Sequence, residues 1–202
     1  MWRRGLRAVV GLVSVTLFAG AGAPATGQSL GRPWDLQPVQ DNAGRFAISV
    51  PLTWRVNYPP KNPALSVKSP EPPGTSPDTV EVFVRDMMFA LSPEGCAQQV
   101  AFVMRITIRQ WTTLSEGPDS IGGLAAYSRA YTWHLTTGEG RRSIQTCVTL
   151  GRRVFVIIGT TMNTPDRVAQ NLPEITRIIG TFRPGPTPPE PAPETQGPSA
   201  EH

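Results

Sequence analysis

The sequence predicts an α+β fold in which amphipathic helices cover an antiparallel sheet. Several short segments alternate apolar and polar residues, as half-buried strands do. Two longer segments repeat apolar residues at spacings of three and four, as amphipathic helices do. At 202 residues, the chain has room for one such domain with appendages at its ends.

Both ends of the chain differ from its middle. Residues 1–27 contain three arginines, an apolar run from Ala8 to Ala19 and then small residues, which is the layout of a secretory signal peptide. The apolar run falls short of the roughly 20 residues that span a bilayer, which favours cleavage over a permanent membrane span. We therefore expect a periplasmic or secreted protein, with residues 28–43 running extended over its surface.

Residues 184–202 predict a disordered, proline-rich tail. They include seven prolines and almost no apolar side chains, so they cannot bury enough surface to offset the entropy of ordering. The tail is either a spacer or a proline-rich ligand for a partner's aromatic groove. The folded domain is then expected to occupy residues 44–183.

The charge balance excludes nucleic acid as a partner. Of the 19 Lys and Arg residues, three lie in the predicted signal peptide, which leaves 16 bases against 15 acids. A nucleic-acid surface needs clustered Lys and Arg, and this chain shows no such cluster. The folded part carries a small arginine-based excess, which indicates either an anionic partner or an ordinary solvated surface.

Strands are predicted to dominate the first half of the domain. In the first of them, Phe46, Ile48 and Val50 share one face. The predicted strands are Arg45–Val50, Thr53–Asn57, Ala64–Lys68 and Thr79–Arg85.

The segment Ser92–Trp111 predicts one long amphipathic helix. Ser92, Pro93 and Glu94 form a helix start, with a capping hydroxyl, a proline in the first turn and an acid at the positive end of the dipole. The stripe expected to face the sheet consists of Ala97, Val100, Ala101, Met104, Ile108 and Trp111. Residues 112–118 are then a loop or an edge strand.

The second half predicts an antiparallel meander and a closing helix. Ala126–His134 and Ser143–Leu150 alternate around a glycine-containing turn, as the strands of a hairpin do. The apolar run Arg153–Ile158 indicates a central strand that is covered on both faces. A second helix should open at Thr164 with the same capping device, kink at Pro173 and stop at Gly180. Thr181–Phe182 should then add a short final strand.

The two cysteines of the chain predict a single disulfide. Cys96 and Cys147 belong to a chain that we expect to meet an oxidising compartment. The bridge would close a loop of about 51 residues and stabilise the fold by roughly 4 kcal/mol. The alternative is a pair of buried thiols that never meet.

The reactive side chains do not predict an enzyme. His134 is the one histidine of the domain, and it is expected to be a solvated residue at the end of a strand. Two distant cysteines with one histidine do not form a zinc site. Asp78, Glu81 and Asp86 lack the spacing of a calcium loop, so a solvated strand edge is the better interpretation. We expect no cofactor and no metal.

Two groups of residues are candidate binding surfaces. Phe102 and Ile106 form an apolar pair on the otherwise polar face of the long helix, and either they contact a partner or a loop covers them. The second group lies on one face of the predicted hairpin, where aromatic rings flank an arginine that can hold a peptide or an anion, unless the group is core. Its members are Tyr127, Arg129, Tyr131 and Trp133.

The order of these elements resembles that of the PsbP-like family. The resemblance covers about residues 44–183 and is carried by F-x-I-x-x-P-x-x-W at Phe46, Ile48, Pro51 and Trp54, by the turn at Gly122 and Gly123, and by Gly180 to Phe182. It implies one α/β/α layered domain that binds or assembles proteins and does not catalyse. The family includes bacterial envelope lipoproteins, but this chain lacks their lipid-bearing cysteine.

The expected function is therefore that of a non-catalytic, exported binding or assembly protein, such as an adaptor or an envelope accessory. Its partner would be another protein, which the sequence does not identify. The alternative is a carrier that holds a small hydrophobic or anionic ligand in a pocket between sheet and helix. A hydrolase with an unfamiliar site around His134 is the third and weakest hypothesis.

Overall fold

The computed structural model describes residues 35–71 and 75–186, and the predicted signal peptide and most of the predicted tail lie outside these ranges. The helices are α1 (Pro93–Thr107) and α2 (Pro165–Gly180). The strands are β1 (Leu36–Gln40), β2 (Phe46–Pro51), β3 (Arg55–Asn57), β4 (Leu65–Lys68), β5 (Thr79–Asp86), β6 (Arg109–Ile121), β7 (Leu124–His134), β8 (Gly140–Leu150), β9 (Arg153–Met162) and β10 (Arg183–Pro184). The predicted α+β fold is confirmed.

Seven strands form one large antiparallel sheet in the order β3-β4-β5-β9-β8-β7-β6. The apolar strand β9 lies at its centre, between β5 and β8, as the sequence predicts. The hairpin strands are longer than predicted, since β8 begins at Gly140 and β9 extends to Met162. The two-glycine turn at Gly122 and Gly123 has positive φ at both residues and joins β6 to β7.

The two helices pack on opposite faces of this sheet. Cys147 and Val148 are neighbours on β8, so their side chains point to opposite faces. Cys147 belongs to the cluster that packs under α1, whereas Val148 belongs to the main core with Ile175 of α2. The order of layers is therefore α1, sheet, α2, which is the α/β/α arrangement that the resemblance implies.

A second, smaller sheet in the order β1-β2-β10 adds to the α2 side. Its Phe46 packs against Phe155 of the large sheet and Phe182 after α2, with ring centroids 6.4 Å and 5.8 Å away. Residues 28–43 are predicted to run extended over the surface, but part of this segment is a paired strand, since β1 lies antiparallel to β2. The final strand begins at Arg183, just after the predicted Thr181–Phe182, and it also pairs with β2.

The helix α2 follows its predicted range but not its predicted cap. Thr164 occupies the N-cap position without a side-chain hydrogen bond, in contrast to Ser92 of α1. The helix continues through Pro173 as far as Gly180. Its buried residues include Ile175, Ile178 and Ile179, and all three belong to the main core between α2 and the sheet.

The prediction that the long helix reaches Trp111 is wrong. The helix α1 ends at Thr107, and Trp111 belongs to the edge strand β6. The chain leaves the helix at Ile108, whose φ of −112° and ψ of 147° are extended, and Gln110 has a φ of 53° that a right-handed helix does not allow. The β-branched Thr112 and Thr113 then favour a strand.

Replacing Gly159 by alanine should destabilise the fold. A Cβ at this position of β9 would overlap Cγ2 of Ile175, so α2 has to move away from the sheet. Overpacking of this kind costs about 2 kcal/mol, measured as the free energy of unfolding in urea. Gly180→Ala is the control, because a Cβ there meets nothing within 4 Å. Equal stability of Gly159→Ala and the wild type would contradict the close packing of α2.

Candidate functional site

The helix α1 carries the candidate site, and its first turn is fixed by a side-chain cap. Ser92 Oγ accepts a hydrogen bond from Gly95 N at 3.0 Å, which satisfies one of the free amides at the helix start. Pro93 lies in the first turn, where its missing N–H costs nothing, and Glu94 complements the helix dipole. The predicted helix start is confirmed.

The inner face of α1 is made of small side chains. Cys96, Ala97 and Ala101 are buried, and Val100 is half-buried against the same cluster. Small residues let the helix backbone approach the sheet closely. The backbone carbonyl of Ala97 is therefore within reach of a side chain from β7.

That side chain is Arg129, which is fully buried between α1 and the sheet. Its guanidinium donates to Ala97 O at 2.8 Å, to Gln98 Oε1 at 3.3 Å and to Glu116 Oε2 of β6 at 2.6 Å. A buried charge is stable only when it is paired and hydrogen-bonded, and here both conditions are met. Arg129 therefore ties α1 to β6 and β7 and leaves no free fork for an anionic ligand.

The aromatic residues of the same hairpin face are packing residues. Tyr131 is fully buried and stacks on Trp111 with ring centroids 3.8 Å apart, and burial raises its pKa to about 12. Trp133 Nε1 donates to Ser143 Oγ at 3.0 Å, and Tyr127 packs beside the cysteines. The structure thus places Tyr127, Tyr131 and Trp133 in or beside the core, which was the alternative interpretation of this group.

The outer face of α1 carries the other candidate pair, and there the side chains are exposed. Phe102 is 68% exposed and Ile106 is 70% exposed, with Val103 beside them at 52%. Within the described ranges no loop covers the pair. Arg105, in the last turn of α1, and Arg109, just after the helix, are exposed, and neither has a carboxylate of the described residues within 4 Å. The result is an apolar ridge with a basic rim.

The predicted disulfide is absent from the structure. Cys96 and Cys147 are both buried free thiols, with their Sγ atoms 2.8 Å apart. The two cysteines are neighbours in the fold, as the prediction requires, but the S–S bond of a disulfide is about 2.05 Å long, which is shorter than the observed distance. Cys96 donates to Cys147 Sγ, and this hydrogen bond together with burial raises the pKa of the Cys96 thiol.

The remaining candidate residues do not form one site. Asp86 pairs with Arg153 at 2.8 Å, Glu81 contacts Ser66, and Asp78 is buried near Arg167. His134 lies at the end of β7, opposite Gly140 of β8. Across residues 35–71 and 75–186, no three His, Cys, Asp or Glu side chains are grouped so that they could hold a metal ion.

A groove that the sequence analysis missed lies on the α2 side of the sheet. Its volume is about 520 Å³, and it lies between the end of α2 and strands β6 to β8. Its wall is mostly apolar, with surface from Ile144 and Ile179, and it also contains hydroxyl groups: Ser128 Oγ hydrogen-bonds to Asp119 and to Thr146 Oγ1. Small residues such as Gly117 and Ala130 make this space, but in the sequence they look like ordinary strand residues.

Comparison with solved structures shows that the chain has the PsbP-like fold. The solution structure of cyanobacterial PsbP (CyanoP) from Synechocystis superposes with a TM-score of 0.58 and 12% identity, covering 79% of this chain and 98% of that one. The sequence matches no protein-family model and no curated protein.

Two further structures with this fold come from other settings. LpqN of Mycobacterium tuberculosis, which is involved in cell envelope biogenesis, has a TM-score of 0.56 and 15% identity, covering 75% of this chain and 91% of its own. The Ran-binding protein Mog1p of Saccharomyces cerevisiae has a TM-score of 0.52 and 10% identity, with coverages of 74% and 95%. At these identities the likeness establishes the fold.

Replacing Arg129 by methionine should loosen the attachment of α1. The change removes the hydrogen bonds to Ala97 O and Gln98 and leaves Glu116 without its cation. We expect a loss of about 2 kcal/mol in the free energy of unfolding, because the buried carbonyl of Ala97 loses its donor and the ion pair to the partly exposed Glu116 is removed. Arg105→Met is the matched control, since this arginine is exposed and unpaired among the described residues. Equal unfolding midpoints for the two variants would refute the role of Arg129.

Titration of the thiols should distinguish free cysteines from a disulfide. With both sulfurs buried and the pKa of Cys96 raised, the native protein should react slowly with a thiol reagent at neutral pH. In denaturant without reductant, both thiols should react at once. No reaction in denaturant would mean that the two cysteines are joined, contrary to the structure.

Proposed function

We propose that this chain, which has the PsbP-like fold, is an exported, non-catalytic protein that binds another protein through the outer face of α1. The partner is a component that this chain escorts or anchors, in the manner of an adaptor or an envelope accessory. The layout of residues 1–27 supports export, because it is that of a signal peptide.

One observation supports the binding role above the others: the exposed ridge of Phe102, Val103 and Ile106. Side chains of this size on a helix that is firmly attached to a sheet are costly to leave in water, and a protein partner would remove them from it. The helix is already ordered by Arg129 and by the Ser92 cap, so binding would not have to pay the entropy of folding it.

The rim of the ridge indicates the chemistry of the partner. Arg105 and Arg109 lie beside the apolar side chains, and arginine is frequent at the centre of protein interfaces. The complementary surface would therefore be apolar with carboxylates at its edge. Among the proteins that share the fold, Mog1p is described as Ran-binding and LpqN as involved in cell envelope biogenesis, which agrees with a role in binding or assembly.

The groove beside α2 favours one alternative, the carrier of a small ligand. Its volume of about 520 Å³ falls within the range of small-molecule sites. Native mass spectrometry of the protein purified from its own compartment tests this alternative. A bound small molecule of constant mass would favour the carrier, and a clean protein mass would count against it.

A photo-crosslinking amino acid at position 102 should capture the partner in the native cell. We expect a protein adduct that forms at position 102 and disappears when Ile106 is changed to serine, because both side chains belong to the same ridge. The matched control places the crosslinker at Leu52, which is 51% exposed and lies after β2, away from α1. Identical adducts at both positions, or none at position 102, would contradict the proposal.

A further inference from the structure

The loop between β5 and α1, residues 87–91, presents two apolar side chains to solvent. Met88 is 91% exposed and Phe89 is 60% exposed. Their neighbours Met87 and Leu91 instead pack against the cluster under α1 that contains Cys96 and Cys147. The loop is thus anchored by its first and last residues, and its middle projects from the molecule.

The projecting residues are held in place by the adjacent turn. Met87 N donates to Arg152 O, in the turn between β8 and β9, at 2.8 Å. One residue earlier, Asp86 forms an ion pair with Arg153 at 2.8 Å. Two separate contacts therefore fix the base of the loop, so Met88 and Phe89 are not exposed merely because the chain is loose there.

Positive charge surrounds the base of this loop. Arg85 precedes it and Arg152 contacts it through the backbone, and both side chains are exposed with no carboxylate of the described residues within 4 Å. The nearby Asp86 is already neutralised by Arg153, which holds the pKa of this carboxyl below its usual range. Glu94, in the first turn of α1, is the other acid near the loop in the sequence.

We propose that this tip, formed by Met88 and Phe89 with Arg85 and Arg152 at its base, docks reversibly on an anionic phospholipid surface. The two apolar side chains enter the boundary between headgroups and acyl chains, and the guanidinium groups stay at the phosphates. This arrangement satisfies both kinds of side chain at once, since bilayers place apolar and anionic groups at neighbouring depths.

A lipid surface fits the tip better than a protein does. A stable protein interface buries about 1,600 Å² with a closely packed centre, and two projecting side chains offer only a small part of that area. A bilayer requires no matching cavity, because it deforms around the side chains that enter it. Two side chains and two charges give weak binding, comparable to that of a single lipid chain, so the contact is reversible.

Vesicle co-sedimentation tests the proposal. The protein is purified after export, so that the cell has removed any leader, and is mixed with vesicles of phosphatidylcholine that contain about one third phosphatidylglycerol. We expect sedimentation with these vesicles, at least about fivefold less with pure phosphatidylcholine vesicles, and weaker binding at high salt. Met88→Ser/Phe89→Ser should lower the partition coefficient about tenfold by removing the inserted groups.

The matched control is Phe102→Ser/Ile106→Ser, which removes a similar amount of exposed apolar surface from the outer face of α1. This variant should bind vesicles as the wild type does, because it leaves Met88, Phe89, Arg85 and Arg152 unchanged. Thermal melting of both double variants checks that they are folded. The proposal is overturned if the wild type fails to sediment with anionic vesicles, if Met88→Ser/Phe89→Ser binds them equally well, or if the control loses binding to the same extent.

Discussion

A single buried guanidinium determines how the α1 layer sits on the sheet. Arg129 contacts the backbone of α1 at Ala97, the side chain of Gln98 and the carboxylate of Glu116 on β6. Apolar contacts alone would tolerate sliding, because Cys96, Ala97 and Ala101 are small and similar in shape. The three hydrogen bonds of the planar guanidinium are directional, so sliding of α1 would break them. They therefore fix how close α1 lies to the sheet and its position along it. The position of the exposed ridge (Phe102, Val103 and Ile106) on the other side of α1 is therefore fixed as well.

Most of the fold could be predicted from the sequence, because periodicity reports directly on which face of an element is buried. The strand at Phe46, Ile48 and Val50 and the central apolar strand at Arg153 both follow from this rule. The end of α1 could not be predicted in the same way, since Trp111 falls at a helical spacing. It belongs instead to the edge strand β6, where its ring stacks on Tyr131. Such a contact between residues far apart in the chain cannot be recognised from the local spacing of apolar residues.

The candidate site was predictable in part for the same reason. An apolar pair on a polar helix face is visible in the sequence, so Phe102 and Ile106 could be named as candidates, and the structure shows them exposed. The role of Arg129 was not visible, because an arginine between two tyrosines looks like a ligand-binding group until its partners from α1 and β6 are known. The loop at Met88 and Phe89 was missed because apolar residues next to a strand are ordinarily interpreted as core. Only their exposure distinguishes them from Met87 and Leu91.

The pairing of β2 with β10 brings the first and last parts of the domain together, with Ala47 opposite Arg183 and Gly185 N bonded to Arg45 O at 2.7 Å. Such a domain has a high contact order, and Phe46 cannot complete its aromatic cluster until Phe182 has been synthesised. The domain therefore cannot complete its core until residues 182–185 have been added to the chain. If the chain is exported as proposed, this delay favours passage through a narrow translocation channel, because the domain stays unfolded for longer than one built from local contacts.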